Sequence, residues 1–303
     1  KGVAFEKAQF GKHIIVSAIE HPAVKESALW LKSQGFEVDI APVDEKGFLD
    51  VKALTSLIRP DTILVSIMAV NNEIGSIQPI EAISKLLADK PTISFHVDAV
   101  QALAKIPTEK YLTDRVDFAT FSSHKFHGVR GVGFVYIKSG KRIMPLLTGG
   151  GQEGDYRSTT ENVAGIAATA KALRLAMENL DLFTAKTSQM KAVIRQALLD
   201  YPDIFVFSDE EDFAPHILTF GIKGVRGEVI VHAFEDYDIF ISTTSACSSK
   251  AGKPAGTLIA MGVDKDKAQS AVRLSLDLEN DMSQVEQFLT KLKLIYNQTR
   301  KVR

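Results

Sequence analysis

From the start of the chain to about Leu147, short runs of β-branched and aromatic residues alternate with segments of helical periodicity. Strands that alternate with helices in this way predict a doubly wound sheet with helices on its faces. The predicted strands are HIIVSAIE, FEVDIAPV, TILVSIMAV, TISFHVDAV, DFATFSS and GVGFVYI. The predicted helices between them are AVKESALWLKSQG, VKALTSLI and IEAISKLLAD, and the opening GVAFEKAQFG has the character of the tail of a helix. The pattern predicts an α/β fold with a mainly parallel sheet.

Two long helical segments follow this sheet and indicate a domain boundary. They are NVAGIAATAKALRLAMENL and KTSQMKAVIRQALLDY, and helices of this length often connect one domain to the next. We therefore expect a large domain over residues 1–180 and a small C-terminal domain over residues 181–303. The small domain contains the apolar segments APHILTFGI, EVIVHAFED and DIFISTT and predicted helices at AGTLIAMGV and MSQVEQFLTKLKLIYNQ, which is an α+β composition.

Composition and charge narrow the class of partner. The 303 residues are 45% hydrophobic and 24% charged, which is ordinary for a folded globular protein and excludes a disordered or fibrous chain. Lys and Arg total 36 against 37 Asp and Glu, so the formal net charge is -1. Because no overall basic field is present, direct nucleic-acid binding is not expected, and a small substrate or a protein partner is favoured.

The expected location is the cytoplasm. No apolar run approaches the roughly 20 residues of a membrane helix, and the first residues lack the layout of a secretory signal. The single cysteine, Cys247, cannot form an internal disulfide and suits a reducing compartment.

Polar residues directly follow several of the predicted strands. Because ligands of open α/β sheets bind beyond the carboxyl ends of the strands, we expect these residues to converge on one site. They are His21, then Asn71, Asn72 and Glu73, then Asp98 and Gln101, then Ser122, Ser123, His124 and Lys125.

This set suits an aldehyde cofactor. A lysine amine condenses with an aldehyde when its surroundings favour the neutral form, as Lys125 would require. A carboxylate such as Asp98 keeps a pyridine nitrogen protonated and so maintains the ring as an electron sink. Ser and His donors bind phosphate, and an imidazole stacks on an aromatic ring. The combination points to pyridoxal 5'-phosphate, although SSHKFHG taken alone favours a polar loop carrying a surface lysine.

Longer motifs make the hypothesis specific. HVDAVQALAK, TFSSHKFHGVRGVGFVYI and VNNEIGSIQPI resemble the cysteine desulfurases of the NifS and IscS type. These belong to the class V aminotransferase branch of pyridoxal-phosphate fold type I enzymes. The similarity continues through GGGQEGDYRSTTENVAGI, ISTTSACSS and AVRLSL, and so extends over nearly the whole chain.

The resemblance implies a role for each candidate residue. Lys125 would bond covalently to the cofactor aldehyde, and residues 1–180 would form the cofactor-binding domain. The implied contacts to the cofactor ring are Asp98 at the pyridine nitrogen, His21 on the ring face and Gln101 at the phenolic oxygen. The implied phosphate contacts are Ser122, His124 and, across a homodimer interface, Thr160. Asn72 and Arg273 would bind the substrate carboxylate, and an arginine fork suits that geometry.

Cys247 is the residue that distinguishes sulfur transfer from other reactions. It lies in STTSACSSKAGKPAG, whose Ser, Thr, Gly and Pro content predicts an exposed loop, with Lys250 and Lys253 near enough to favour the thiolate. A cysteine is more often an inert small hydrophobe. The resemblance implies instead that Cys247 attacks the substrate sulfur and becomes a persulfide.

The chain also departs from the family pattern. The family's first segment, with an NAATT-like strand and a GTESNN-like phosphate-binding turn, is absent before Lys1, which puts cofactor affinity in question. RSTT replaces the usual RSGT. SLDLEN replaces a segment beginning SLGR, so Asp277 and Leu278 stand where Gly and Arg are usual.

Three functions remain open at this stage. The first is a cysteine desulfurase that converts L-cysteine to L-alanine and passes sulfur from Cys247 to an acceptor, such as an iron-sulfur scaffold protein or a tRNA-thiolation enzyme. The second is a selenocysteine lyase or another class V pyridoxal-phosphate enzyme. The third is a truncated, non-catalytic relative that binds partners.

Overall fold

The computed structural model describes residues 1–209, 211–244 and 256–301, with the backbone alone for the last two residues of that range. The chain divides into two compact units. The first contains residues 1–42, 49–69 and 78–179, and the second contains residues 43–48 and 70–77 together with the chain from Leu180 onward. The pattern of the sequence had not indicated that these two short segments group with the second unit.

The first unit is built on a six-stranded sheet in the order β2-β1-β3-β4-β5-β6. Neighbouring strands are parallel from β2 to β5, and β6 pairs antiparallel with β5. The strands are β1 (His13–Ser17), β2 (Glu37–Ala41), β3 (Thr62–Met68), β4 (Ser94–Asp98), β5 (Phe118–Ser122) and β6 (Gly133–Ile137). Every residue of β1 and β3 is buried, as expected for parallel strands covered on both faces.

Helices follow most of these strands and begin at residues that suit a helix start. They are α1 (Gly2–Glu6), α2 (Pro22–Lys32), α3 (Val51–Leu57), α4 (Ile80–Leu86) and α5 (Val163–Glu178). Pro22 is the first residue of α2, where its missing N–H costs no helical hydrogen bond. Asp50 caps α3 by accepting from the amides of Lys52 and Ala53, each at 2.9 Å.

The second unit contains a four-stranded sheet in the order β7-β8-β10-β9, in which all neighbours are antiparallel. Its strands are β7 (Ile204–Val206), β8 (Ile217–Ile222), β9 (Ser242–Thr243) and β10 (Ala271–Ser275). Its helices are α6 (Leu180–Leu199), α7 (Gly227–Glu235), α8 (Gly256–Ala260), α9 (Lys265–Gln269) and α10 (Met282–Lys301). An apolar core joins the sheet to α6, α7 and α10, with Phe234 stacked on Phe288 at 4.9 Å between ring centroids.

The fold class expected from the sequence is confirmed: a mainly parallel sheet covered by helices, followed by a smaller α+β unit. The helical character of the opening residues is also confirmed by α1. The short elements β7 and α9 were not predicted. Within the described ranges, no helix is both long and apolar enough to cross a bilayer.

Candidate active site

The carboxyl ends of β3 and β4 lie level with one another, and the adjacent β5 continues two residues beyond them. Asp98, the last residue of β4, is in register with Met68 of β3 and with Thr120 of β5. Beyond the strands, the Ala69 amide donates to the Asp98 carbonyl at 2.8 Å, and the Ala99 amide donates to the Thr120 carbonyl at 3.1 Å. The segments that follow these strands therefore start from a common edge of the sheet, as the sequence predicted.

Asp98 is a buried carboxylate at the centre of this edge, with 8% of its surface exposed. Its Oδ1 accepts a hydrogen bond from the Val100 amide at 3.0 Å. Burial raises the pKa of Asp98 above its usual value, and the Val100 amide and the charge of His21 act in the opposite direction. A cation placed beside this carboxylate would therefore stabilise its ionised form.

His21 is held at the start of α2. The Ala23 amide donates to its Nδ1 at 3.2 Å, which makes His21 the N-cap of that helix. Since Nδ1 accepts, the neutral ring carries its proton on Nε2. The charge that His21 carries when protonated lowers the pKa of Asp98, so the two side chains interact electrostatically.

Lys125 lies in a short 3-10 turn, Ser123–Phe126, that directly follows β5. Close packing fixes this turn. Ser123 is fully buried, and its Oγ is 2.9 Å from Oγ1 of Thr169 in α5. A Cβ on Gly128 would lie 1.8 Å from that Oγ, so only glycine fits there without displacement. Lys125 itself is half-buried, so it is not the freely solvated surface lysine of the alternative hypothesis.

Positive charge surrounds His124 in the same turn. Its pKa is lowered by partial desolvation and then by the positive charges of Lys125 and Arg130. His124 is exposed. A multiply charged anion would offset the repulsion among these groups, so the chemistry of the turn suits phosphate. Sequence analysis had not singled out Arg130, although its place four residues after the end of the turn was a signal.

The two residues predicted to bind a substrate carboxylate meet within the second unit. Arg273 belongs to β10, and its Nη1 donates to the backbone carbonyl of Asn72 at 2.7 Å. The adjacent Asn71 is buried, and its Nδ2 donates to Thr257 Oγ1 at 3.1 Å.

The remaining predicted residues are placed as follows. Gln101 and Ser122 are half-buried, Gln101 in the turn after β4 and Ser122 as the last residue of β5. Thr160 is exposed in the irregular segment before α5. Cys247, Lys250 and Lys253 lie outside the described residues.

Sequence analysis missed one buried acid. Glu20, directly before His21, is 6% exposed and is bonded to both β1 and β3. Its position as the last residue of the predicted strand HIIVSAIE, directly before His21, was the available signal.

The profile of the aminotransferase class-V family matches residues 2–288. The chain belongs to this family. It is 49% identical over 303 residues to a NifS/IcsS protein homolog of Lactobacillus delbrueckii subsp. bulgaricus, covering 100% of this chain and 79% of the relative. It is 38% identical over 306 residues to cysteine desulfurase IscS of Clostridium botulinum, covering 100% of this chain and 76% of that protein.

Solved structures agree with these relatives. A NifS-like protein superposes with a TM-score of 0.90 at 37% identity, covering 98% of this chain and 78% of the other. A NifS-like protein from Rickettsia africae gives a TM-score of 0.85 at 28% identity, with 97% and 78% covered. The resemblance to NifS and IscS proteins that the motifs indicated is confirmed, and the pyridoxal-phosphate fold type I architecture with it.

Proposed function

We propose that this protein is a pyridoxal-phosphate-dependent cysteine desulfurase. In the proposed reaction, L-cysteine and the Cys247 thiol give L-alanine and a Cys247 persulfide. The carbon–sulfur bond of the substrate breaks and a sulfur–sulfur bond forms on Cys247. The β-carbon is reduced as it gains hydrogen, and the transferred sulfur is oxidised, so no further oxidant or reductant is needed.

The observation that carries the proposal is the placement of Asp98 and the Lys125 turn at the ends of the adjacent strands β4 and β5. The groups present fit the cofactor. A buried carboxylate, whose pKa burial raises, suits a protonated pyridine nitrogen. The positive charge around His124 suits a phosphate. When bound, pyridoxal phosphate supplies the electron sink that stabilises negative charge at the substrate α-carbon.

The protein's own residues have distinct tasks in this proposal. Lys125 holds the cofactor covalently and, when released, takes the α-proton of the substrate on Nζ. Asp98 binds and orients the pyridine nitrogen, and His21 and Gln101 contact the ring. Ser122, His124 and, from a partner subunit, Thr160 bind the phosphate.

Substrate binding is assigned to the second unit. Arg273 and Asn72 would bind the α-carboxylate of L-cysteine, since a guanidinium offers two parallel donors to a carboxylate. The hydrogen bond between Arg273 and the Asn72 carbonyl supports this assignment, because it holds the two residues together before the substrate arrives.

Three further features belong to the proposal. The persulfide sulfur is passed to an acceptor, either an iron-sulfur scaffold protein or a tRNA-thiolation enzyme. The role of Thr160 requires a homodimer. A cytoplasmic location suits a chain whose single cysteine must remain a thiol between turnovers.

The test is a visible absorption spectrum of the purified chain titrated with pyridoxal phosphate, followed by assays for alanine and persulfide after addition of L-cysteine. We expect a cofactor band that Lys125→Ala abolishes, and alanine and persulfide that require Cys247. Arg174→Lys, in an exposed ion pair with Glu178, is the control and should behave as wild type.

Two outcomes would contradict the proposal. Turnover of an amino donor that survives Cys247→Ala would indicate another class V reaction. A wild-type chain that shows no cofactor band would favour the non-catalytic alternative.

A further inference from the structure

Glu20 occupies a buried position next to the residues assigned to the cofactor ring. It lies in the turn between β1 and α2, directly before His21. Its Oε1 accepts two hydrogen bonds of 2.7 Å, one from Ser17 Oγ at the end of β1 and one from the Met68 amide at the end of β3. The side chain therefore fastens the turn that carries His21 to the neighbouring strand.

The second carboxyl oxygen of Glu20 has a different environment. Oε2 is buried and accepts no hydrogen bond from the residues that the structure describes. A buried oxygen without a partner costs far more when it carries charge than when the carboxyl group is neutral. The hydrogen-bond pattern favours a carboxylic acid here, with the proton on Oε2.

The negative charge of Asp98 also favours the protonated form of Glu20. Among the described residues, Asp98 at the end of β4 is the charged group whose field acts on Glu20. The two are neighbours because Met68, whose amide donates to Glu20, is the register partner of Asp98. Burial first, and then the negative charge of Asp98, raise the pKa of Glu20 to about 8, although the bonds from Ser17 and Met68 oppose the shift. His21, the adjacent titratable group, acts on Asp98 and favours its ionised form. The negative charge of Asp98 therefore opposes ionisation of Glu20, and the two buried carboxyl groups do not ionise independently.

We propose that Glu20 is a positioning residue of the cofactor site, which fixes the turn carrying His21 and, by keeping a proton, leaves Asp98 as the anion that meets the pyridine nitrogen. This inference rests on the proposed function for the identity of the cofactor. It assigns no contact between Glu20 and substrate or cofactor.

Two variants separate the anchoring role of Glu20 from its role as a protonated group, and a third variant is the control. Glu20→Gln keeps the size of the side chain and an oxygen that accepts from Ser17 and Met68, but it cannot ionise. Glu20→Ala removes the anchor altogether. Glu26→Gln changes an exposed acid on the adjacent helix α2 and serves as the matched control.

The first measurement is the affinity for pyridoxal phosphate from pH 6 to pH 9.5, followed by absorbance. We expect Glu20→Ala to weaken binding about tenfold at pH 7, because the turn that carries His21 loses its hydrogen bonds to Ser17 and Met68. Glu20→Gln should stay within about twofold of wild type at pH 7. The wild-type profile should contain a step near pH 8 that is absent only from the two Glu20 variants.

The second measurement needs no cofactor. In protein labelled with 13C at the glutamate carboxyl carbons, the resonance that disappears in Glu20→Gln should report a protonated carboxyl at pH 7 and should titrate near pH 8. A resonance that titrates near pH 4.5 overturns the proton assignment. If Glu20→Ala binds pyridoxal phosphate with the affinity and the pH profile of the wild type, the positioning role is overturned. Absence of binding in the wild type overturns the proposed function and the cofactor part of this inference, while the resonance still decides where the proton resides.

Discussion

Arg273 donates from Nη1 to the carbonyl oxygen of Asn72 over 2.7 Å, across a separation of 201 residues in the sequence. Next to this bond, Thr219, the register partner of Arg273 in β8, donates from Oγ1 to the Glu73 carbonyl at 2.5 Å. The sheet of the second unit therefore holds the backbone of residues 72 and 73 at two successive carbonyls.

Arg273→Lys should raise the KM for L-cysteine about tenfold or more and change kcat much less. Lysine keeps the positive charge but lacks the planar fork of N–H donors. It therefore cannot bind both oxygens of a carboxylate in parallel, nor bind a carboxylate while it also donates to the Asn72 carbonyl. Steady-state kinetics of the loaded enzyme measure this, with Arg174→Lys as the control for an exposed arginine. An unchanged KM would remove Arg273 from the substrate site.

Asp98→Asn should have opposite effects on stability and on cofactor binding. Because burial raises the folded-state pKa of Asp98, ionisation at pH 7 destabilises the cofactor-free chain, and a neutral amide relieves this cost. Loss of a charge-assisted bond to the pyridine nitrogen should weaken pyridoxal-phosphate binding about ten- to hundredfold.

Thermal unfolding without cofactor and absorbance titration with cofactor measure the two effects. Asp236→Asn, at an exposed position, should change neither. If Asp98→Asn bound the cofactor as tightly as wild type, Asp98 would not be the partner of the ring nitrogen.

The stability of the wild-type chain should fall relative to Glu20→Gln as the pH rises from about 5 to about 8. The folded-state pKa of Glu20 is about 8, against 4.5 for an ordinary glutamate. Over this interval the folded chain retains a proton that the unfolded chain has lost, so the free energy of unfolding decreases by about 1.4 kcal/mol per pH unit. Urea unfolding of both chains at several pH values measures the difference, and parallel curves would show that Glu20 ionises normally.

Gly128→Ala should destabilise the first unit by about 1–3 kcal/mol, because its Cβ would overlap both Oγ and the carbonyl oxygen of Ser123. Gly256→Ala is the matched control, since no atom of the described residues lies within 4 Å of the added Cβ in α8. Denaturant unfolding compares the two. Equal stabilities would mean that the Lys125 turn is not closely packed.

Asp117→Ala should cost about 3–5 kcal/mol of unfolding free energy. Its buried carboxylate accepts from Arg115 at 2.8 Å and from the Phe95 amide at 2.9 Å, and it lies 3.0 Å from Lys141 Nζ. Removal leaves Arg115 and Lys141 without this carboxylate partner and frees the Phe95 amide of β4. Asp61→Ala, which breaks an exposed pair with Arg59, should change the free energy of unfolding much less and serves as the control.

The local pattern of the chain was sufficient to predict most of the helices and strands and to propose the candidate residues. Apolar runs fully buried on both sides, as in β1 and β3, are recognisable because parallel strands covered by helices must be apolar throughout. Polar residues such as His21 and Asp98 were recognisable because each lies at or directly after the end of an apolar run. The motifs around Lys125 also determined the family.

Only the tertiary structure decided how these residues act on one another. The anchoring of Glu20 depends on the Met68 amide, 48 residues away, and the bond from Arg273 to Asn72 depends on the pairing of β10 with β8. The grouping of residues 70–77 with the second unit is likewise a product of packing. Hydrogen bonds and desolvation act between neighbours in space. A local sequence pattern therefore specifies which groups are available, and the folded chain determines which of them are charged and what they bind.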